Sequence, residues 1–450
     1  MKKIDKSRRE FLKKTSRLGG ALFAAPLFVP RSALGEDGAP GANDRIGIAA
    51  IGVGRQGSVA FKAAADNKLS QPVAVCDVYL PRAVGMARKL GIDPKNTCQN
   101  YREILERKDV DAITSSTPEH WRALTCIHAC QAGKHVYTEK PMSLTVVEGR
   151  KMVEAARKYN RVFQSGSQQR SMPANISGCK FIREGGLGKI QKIIACNYQS
   201  PWFANLPAEK IPQGLDWEMW CGPTKKVPFS FGIYPPRSNP GWISFRPYSG
   251  GEMTGWGSHG LDQIQSALGM DDTGPTEIIV EGEALEPPTY NKPESLMRGA
   301  DLCSTPHLKF KYANGNTVIL DPTSKQHGAG GIFIGENGKL EIKRAGLASN
   351  PEEIAQKLLK GQPSQDQQNR SSMALHLGNW LECCITGDEP IDSVESGHRT
   401  ASLCHILNIA RYVGRNLQWD PEKELFVGDD EANSYLSREM HNGYELPDEV

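Results

Sequence analysis

Short apolar runs alternate with amphipathic stretches through the first part of the chain. The runs carry few charges and have the length of strands buried on both faces of a sheet. They cover residues 46–51, 72–76, 110–116, 135–138 and 162–166. Stretches with the period of a helix lie between them, at residues 58–65, 81–90, 121–132 and 152–159. This alternation predicts an α/β fold that begins with a doubly wound parallel sheet, a Rossmann domain over residues 45–165.

The pattern changes after residue 166, where apolar and polar positions alternate as in half-exposed strands. A helix at 176–184 and a strand at 188–198 are followed by strand patterns at 276–282, 307–312, 317–320, 331–335 and 339–342. The dipeptides Asn314-Gly315 and Asn337-Gly338 have the composition of hairpin turns. We expect an exposed loop at 356–366 and two amphipathic helices at 374–386 and 396–413. Residues 166–450 therefore predict an α+β domain with an open, mainly antiparallel sheet.

A long segment of the second half, residues 200–248, is rich in proline, glycine and tryptophan and has no clear periodicity. A loop region of this length is usually functional or disordered. Its tryptophans are Trp202, Trp217, Trp220 and Trp242. Their rings suit packing against the C–H faces of a sugar, and they equally suit packing of a long loop onto a sheet. The sequence leaves both interpretations open.

A glycine motif directly follows the first predicted strand. Gly52, Gly54 and Gly57 have the spacing G-x-G-x-x-G and stand between a strand and a helix, with Arg55 and Gln56 between the glycines. This arrangement is typical of dinucleotide binding, because it allows a tight turn, close approach to a pyrophosphate and close packing of helix on strand. Asp77 ends the next strand, 20 residues after Gly57. An acid there binds ribose hydroxyls and repels a 2′-phosphate, so NAD is favoured over NADP.

Polar residues also end the later strands of the predicted parallel sheet. Ligands of such sheets bind outside the carboxyl ends of the strands, so these residues should converge on one site. Candidates for cofactor contacts are Thr117, Pro118, His120, Glu139 and Lys140. Gln168 and Arg170 are candidates for substrate contacts. Lys140, between Glu139 and Pro141, is also a candidate for a catalytic or substrate-orienting role, although a solvated lysine at a strand end would look the same.

The N-terminus has the features of a targeting segment. Residues 7–14, SRREFLKK, resemble the twin-arginine export motif, and a modest apolar stretch at 18–29 follows. This stretch is too short to span a bilayer stably. We expect a signal peptide over residues 1–35, a Gly/Pro/Asp-rich linker over 36–44, and export to the periplasm by the twin-arginine machinery, with a membrane tether if the signal is uncleaved. A basic amphipathic helix of a cytoplasmic protein is the alternative.

Charge and cysteine usage exclude some functions. The whole chain has a formal charge of +3 and its first 35 residues, with nine Lys or Arg against two Asp or Glu, have +7, which leaves −4 for the rest. A mildly acidic body gives no reason to expect nucleic-acid binding. The 11 cysteines have no zinc-site spacing, and we expect no metal site. Most of them fall in apolar patterns and are interpreted as buried thiols, with one disulfide left open.

Together, the glycine motif, Thr117-Pro118-Glu119-His120 and Glu139-Lys140-Pro141 resemble the Gfo/Idh/MocA oxidoreductases, the group of glucose–fructose oxidoreductase and inositol dehydrogenase. The resemblance covers almost the whole chain after the leader. It implies a cis peptide before Pro141 that turns the lysine toward the nicotinamide. It also implies association of copies through the open sheet, hence a homo-oligomer.

A second element of that resemblance lies at residues 250–263, GGEMTGWGSHGLDQ. His259 falls on the family's catalytic histidine, and Asp262 on the acid that follows it and contacts substrate. The aspartate that relatives carry four residues before the histidine is replaced by Gly255, which puts a simple inositol-type reaction in doubt. A free imidazole has a pKa near 6.5, so His259 suits acid–base chemistry, although a structural histidine is the alternative.

These residues predict an NAD-dependent oxidoreductase that moves a hydride between a carbinol carbon of a sugar or glycoside and a tightly held nicotinamide. One alternative is an NAD-dependent glycosidase that oxidises, eliminates, hydrates and reduces its substrate in turn. A second alternative is a non-catalytic nucleotide- or sugar-binding protein. His398 and Arg399, which open the last long helix, are interpreted as capping residues that could also reach the site.

Overall fold

The computed structural model describes residues 45–237, 240–292, 302–323 and 330–450. The predicted leader, residues 1–35, and the predicted linker, residues 36–44, lie outside the described residues. The chain divides into two units, residues 1–45 and 46–450, and the second contains all the strands and helices described below.

The first sheet has six parallel strands, in the order β3-β2-β1-β4-β5-β6. Its strands are β1 Ile46–Ile51, β2 Ser70–Cys76, β3 Thr97–Cys98, β4 Ala112–Ser115, β5 His135–Thr138 and β6 Phe163–Ser165. The helices of this part are α1 Arg55–Ala65, α2 Leu80–Lys89, α3 Tyr101–Leu105, α4 Glu119–Gln131 and α5 Val146–Lys158. This strand order is that of a Rossmann fold, so the predicted doubly wound sheet is confirmed.

The second half begins with α6 Pro173–Arg183 and β7 Ile190–Cys196, and much of residues 200–248 is irregular. Its next elements are β8 Phe203–Ala204, α7 Trp217–Cys221, α8 Glu252–Gly255, α9 Gly257–Leu268, β9 Glu277–Glu281, β10 Thr289–Tyr290, β11 His307–Lys311, β12 Thr317–Asp321, β13 Gly331–Gly335, β14 Gly338–Lys343 and β15 Gly346–Asn350. The chain ends with α10 Glu352–Leu359, α11 Gln365–Thr386, α12 Val394–Val413, β16 Leu417–Asp420, β17 Leu425–Phe426 and α13 Asp430–Ser434. Short 3₁₀ turns lie at Pro94–Asn96, Gln168–Ser171, Trp242–Ser244 and Leu302–Ser304.

Nine of these strands form the second sheet, in the order β15-β14-β13-β7-β12-β11-β9-β16-β17. The β7–β12 pair is parallel and its other pairs are antiparallel, so the predicted open, mainly antiparallel sheet is confirmed. Both predicted hairpins form, with Asn314-Gly315 between β11 and β12 and Asn337-Gly338 where β13 turns into β14. The expected exposed loop at 356–366 is confirmed only at residues 360–364, because α10 extends to Leu359 and α11 begins at Gln365.

The helix α11 lies on the first sheet, although it is far along the chain from that sheet. Its buried residues Leu377, Trp380 and Leu381 pack with Ile48 and Phe61 of β1 and α1. Burial of side chains of this size is worth about 1.5–3 kcal/mol each. The first sheet is therefore covered on one face by a helix from the second half, an arrangement that no local sequence pattern indicates.

All 11 cysteines lie in the described residues and are free thiols, eight of them buried. The interpretation of mostly buried thiols is confirmed, and the disulfide that was left open does not form. Among the described helices none is long and apolar enough to cross a membrane.

Candidate active site

A cavity of about 730 Å³ lies at the carboxyl ends of β1, β2, β4 and β5. Both halves of the chain contribute to its lining. The Rossmann half supplies Gly52, Gly54, Arg55, Gln56, Gly57, Asp77, Thr117, Pro118, Glu139 and Lys140, and the second half supplies Gln168, Trp220, Tyr234, Arg237, Trp242, Trp256, His259 and Arg344. The structure thus brings together most of the cofactor-site residues that the sequence predicts, and both candidate catalytic residues.

The glycine turn exposes bare backbone to this cavity. Gly52 has a φ of +83°, and a Cβ atom at Gly57 would lie only 2.1 Å from the Gly52 oxygen and 2.8 Å from Cβ of Ser116. A Cβ atom at Gly54 would meet nothing within 4 Å. Gly54 also precedes α1 without a side-chain cap, so the first N–H groups of this helix can bind an anion.

Asp77 is held rigidly beside this turn. Its carboxylate accepts hydrogen bonds from the backbone N–H groups of Val53 and Tyr79, both at 2.9 Å, and is 3.3 Å from Arg82. The other end of the Arg82 guanidinium donates to the hydroxyl of Tyr234, at 2.9 Å. Tyr234 belongs to the irregular segment of the second half, which therefore closes over the edge of the nucleotide groove.

These residues fit a dinucleotide. The hydroxyl oxygens of Ser116 and Thr117 are buried without a hydrogen-bond partner, and Thr117 lines the cavity. Buried hydroxyls without partners are costly, and a polar ligand in the groove would satisfy them. With the open space at Gly54 and the fixed carboxylate of Asp77, the groove offers donors for phosphates and an acceptor for ribose hydroxyls.

Lys140 and His259 occupy the reactive end of the cavity. Lys140 follows β5, and its ammonium donates a hydrogen bond to the backbone oxygen of Gly255. The peptide bond between Lys140 and Pro141 is cis. Burial, and then the charge of Arg237, lower the pKa of Lys140 to about 8. The lysine is therefore mainly cationic at neutral pH and close to the point where it gives up a proton.

His259 lies in the first turn of α9 and is 5% exposed. Burial lowers its pKa well below the ordinary 6.5, and the positive charges of Lys140, Arg344 and Arg237 lower it further. The positive end of the helix dipole acts in the same direction. Its Nδ1 atom has no hydrogen-bond partner among the described residues. The imidazole is thus neutral at pH 7, with a nitrogen free to accept a proton.

The departure at Gly255 has a structural counterpart. A Cβ atom at this position would lie 2.7 Å from Glu252 Oε2 and 3.0 Å from Arg237 Nη2. Those two side chains form an ion pair with two contacts of 2.9 Å. The space beside Gly255 therefore already contains a carboxylate, which comes from one turn earlier and is neutralised by an arginine.

Three predicted site residues lie elsewhere. Arg170 and Asp262 are 7% and 0% exposed and do not line the cavity, because they form an ion pair with each other at 2.7 Å, and Arg170 also contacts Asp271 and Asp392. A charge pair buried in this way is a structural element, so we do not retain the expectation that they contact substrate. His120 also lies outside the lining; its Nε2 is 2.8 Å from the Trp220 carbonyl oxygen.

The tryptophans of the irregular segment divide between the two interpretations that the sequence left open. Trp217 and Trp220 stack on each other with ring centroids 4.4 Å apart, and Trp202 packs on Phe245 in the same aromatic core. Trp220 and Trp242 also line the cavity. His398 does not line the cavity, and its Nε2 atom is hydrogen-bonded to Oε1 of Glu424 at 2.6 Å.

The cavity residues that were missed from the sequence include Tyr234, Arg237, Trp256 and Arg344. Trp256 is adjacent to Gly255 within a motif already singled out, and its exposure of 40% beside His259 marks it as a ring available to a ligand. Arg344 lies in a hairpin turn, where an arginine has no local signature. Among the described residues, no cluster of His, Cys, Asp and Glu could hold a metal ion.

A Rossmann sheet with a glycine turn, facing a half-buried lysine and a buried histidine from two halves of one chain, defines a dinucleotide-dependent oxidoreductase fold. Residues 46–167 match the family model described as the NAD-binding Rossmann fold of the oxidoreductase family, and residues 188–446 match its C-terminal alpha/beta domain. The chain belongs to the Gfo/Idh/MocA oxidoreductase family, as the resemblance implied, and its first domain is an NAD-binding domain.

Two relatives are each similar to part of the chain. Levoglucosan dehydrogenase of Pseudarthrobacter phenanthrenivorans is 32% identical over 123 residues, which are 27% of this chain and 31% of that protein. A glycosyl hydrolase family 109 protein of Shewanella pealeana is 30% identical over 126 residues, 26% of this chain and 27% of that protein. The aligned segments thus span less than a third of either relative.

A solved structure shares the fold over a longer range. Levoglucosan dehydrogenase in complex with NADH and levoglucosan superposes with a TM-score of 0.57 and 17% identity, covering 86% of this chain and 100% of that one. At this identity the likeness concerns the fold alone.

Separate replacement of Gly57 and Gly54 by alanine distinguishes the two requirements of the turn, which are close packing of helix on strand and access of the nucleotide to the backbone. We expect Gly57→Ala to lower the free energy of unfolding by about 1–3 kcal/mol, because its methyl overpacks against Gly52 and Ser116. Gly54→Ala should leave stability nearly unchanged and weaken nucleotide retention, because its methyl enters the cavity. Urea unfolding and the nicotinamide content after dialysis test both. Equal stability losses, or full retention in Gly54→Ala, would contradict this account.

Proposed function

We propose that the protein is a sugar oxidoreductase that keeps NAD bound and recycles it within the site. The observation that carries the proposal is the convergence of a cationic lysine and a neutral histidine in the cavity that the glycine turn also lines. The family's NAD-binding domain supplies the cofactor class, and the names of its relatives favour a carbohydrate substrate. A bound nicotinamide supplies the hydride acceptor at this site.

The side chains divide the remaining work. When a carbinol carbon of the sugar loses its hydride, the hydroxyl must also lose a proton, and the neutral His259 accepts it. The Lys140 ammonium stabilises the negative charge that develops on the same oxygen. Trp256, exposed beside His259, offers a ring for the C–H face of the sugar. The reverse transfer, to a second carbonyl substrate, returns the protein to its starting state with the same groups.

Retention of the nucleotide is supported by the closure of the groove. Arg82, which contacts Asp77, donates a hydrogen bond to Tyr234 of the irregular segment. This hydrogen bond joins the nucleotide groove to the segment that lies over it. Release of NAD requires this contact between the two halves to open. Retention suits a protein that is exported by the twin-arginine route to the periplasm, as we propose from the leader, because free NAD is not supplied there. We also propose that the copies associate through the open sheet.

The direct test uses the dialysed protein and a panel of sugars and glycosides. We expect retained nucleotide whose absorbance changes to that of reduced nicotinamide when a suitable sugar is added. Lys140→Ala and His259→Ala should each slow this reduction by about 10²–10⁴-fold while nucleotide stays bound. Loss of bound nucleotide together with no binding of added NAD would contradict the proposal. Unchanged rates in both variants would favour a non-catalytic binding protein.

A glycosidase cycle is the second candidate, favoured by the similarity to a glycosyl hydrolase family 109 protein. In this cycle the sugar is oxidised, loses its glycosidic substituent, adds water and is reduced, so no net oxidation results. The same absorbance experiment separates the two cycles. A reduced band that decays as the aglycone appears supports the glycosidase, and a stable oxidised sugar product supports the oxidoreductase.

The pH dependence of sugar oxidation follows from the two pKa values. Because Lys140 acts as a cation with a pKa of about 8, the rate should fall as pH rises through this value. No loss should appear near pH 6.5 on the acid side, because the pKa of His259 is well below it. Lys140→Arg, which keeps its charge, should remove the alkaline fall. A rate that instead rises through pH 8 would show that Lys140, and not His259, accepts the proton.

A further inference from the structure

Arg344 is a cation at the reactive end of the cavity that has no carboxylate partner. It forms, with Ala345, the two-residue turn between β14 and β15, whose flanking residues Lys343 and Gly346 are paired. Its side chain lines the cavity together with Lys140, Trp256 and His259. No carboxylate of the described residues lies within ion-pair distance of it. This differs from the nearby Arg237, which is neutralised by two contacts to Glu252.

The contacts of Arg344 leave most of its donors available. With the Gln168 amide oriented so that its nitrogen donates to the Gly166 carbonyl oxygen, its oxygen accepts from Arg344 Nη2 at 2.7 Å. The Arg344 Cζ atom also lies 6.0 Å from the centroid of the Trp256 ring. These contacts hold the guanidinium over the ring and use one of its five N–H groups.

Burial makes the position of Arg344 costly for a charged group, and its surroundings compensate only part of that cost. Of the ionisable groups that also line this end of the cavity, Lys140 is positively charged and His259 is neutral at pH 7. Burial disfavours the charge of Arg344, and the buried Glu139 is the carboxylate whose field offsets part of that cost. A partly buried cation of this kind is stabilised by an anion that can form paired hydrogen bonds.

We propose that Arg344, held by Gln168 and Trp256, binds an oxyanion substituent of the sugar, so that the substrate is an anionic sugar. The proposal rests on the proposed function. A planar guanidinium matches the two oxygens of a carboxylate or a sulfate ester. Uronic acids and sulfated sugars carry these groups, and the ring of Trp256 lies beside the same cation to receive the sugar. Gln168, predicted from the sequence as a substrate residue, then acts by orienting Arg344.

The test compares matched sugars on the NAD-loaded protein. The panel contains glucuronate, galacturonate and glucose 6-sulfate with the neutral glucose and galactose, and the readout is the kcat/KM of nicotinamide reduction. We expect at least one anionic sugar to exceed its neutral counterpart by about tenfold or more. If only the uronates, or only the sulfate ester, exceed their neutral counterparts, the result identifies which oxyanion Arg344 binds. Equal or higher kcat/KM for the neutral sugars would overturn the proposal and leave the proposed function standing.

Arg344→Gln should remove the preference, mainly through a higher KM, and Arg344→Lys should restore part of it. Lys343→Gln is the matched control: it removes a positive charge one residue earlier, from a side chain that does not line the cavity, and should keep the preference. Nucleotide content is measured in each variant. Loss of NAD from Arg344→Gln would overturn the proposal by showing that the guanidinium binds cofactor phosphates.

Binding of the anionic sugars is measured separately by calorimetry, so that the anion site is tested even if none of these sugars is oxidised. Glucuronate or glucose 6-sulfate should bind to the loaded protein and lose at least about tenfold in affinity in Arg344→Gln. Binding of this kind without any reduction of nicotinamide would uphold the anion site and contradict the oxidoreductase. The absence of binding by every anionic sugar of the panel would overturn the anion site.

Discussion

The hydrogen bond from the Lys140 ammonium to the backbone oxygen of Gly255 joins the two halves of the site. It links the end of a strand in the parallel sheet to the short helix that directly precedes His259. Because the lysine is drawn under the second half, it loses water and lies near the positive charge of Arg237. The same closeness lowers the pKa of His259. Burial and neighbouring positive charge thus lower the pKa of both residues.

The fold was largely predictable because its signals are local. The apolar runs of the parallel strands, the glycine motif and the two Asn-Gly turns each act over a few residues, and all occur as expected. The placement of α11 on the first sheet was not predictable. The apolar face that contains Trp380 and Leu381 indicates that the helix is buried, but it does not indicate which element the helix packs against. The loop expected at 356–366 is confined to residues 360–364, because the polar residues on either side lie on the exposed face of α10 and in the first turn of α11.

The site divides in a similar way. Residues that follow strands of the first sheet, such as Asp77 and Lys140, were found because the ends of parallel strands meet at one edge. Arg170 and Asp262 were expected to contact substrate and instead pair with each other, because a charged residue near a site has the same sequence signature whether it meets substrate or another buried charge. Trp256 and Arg344 reach the cavity from a helix start and a hairpin turn, and only the packing of the second half brings them together.

The proposed function requires that a carbinol hydrogen of a sugar moves to the bound nicotinamide in this cavity. This transfer can be followed in a single turnover with a sugar that carries deuterium at the reacting carbon, followed by isolation of the bound nucleotide. We expect a slower reduction than with the unlabelled sugar, and deuterium on the recovered nicotinamide. A nicotinamide that stays oxidised and unlabelled while the sugar is converted, with deuterium released to water, would contradict it.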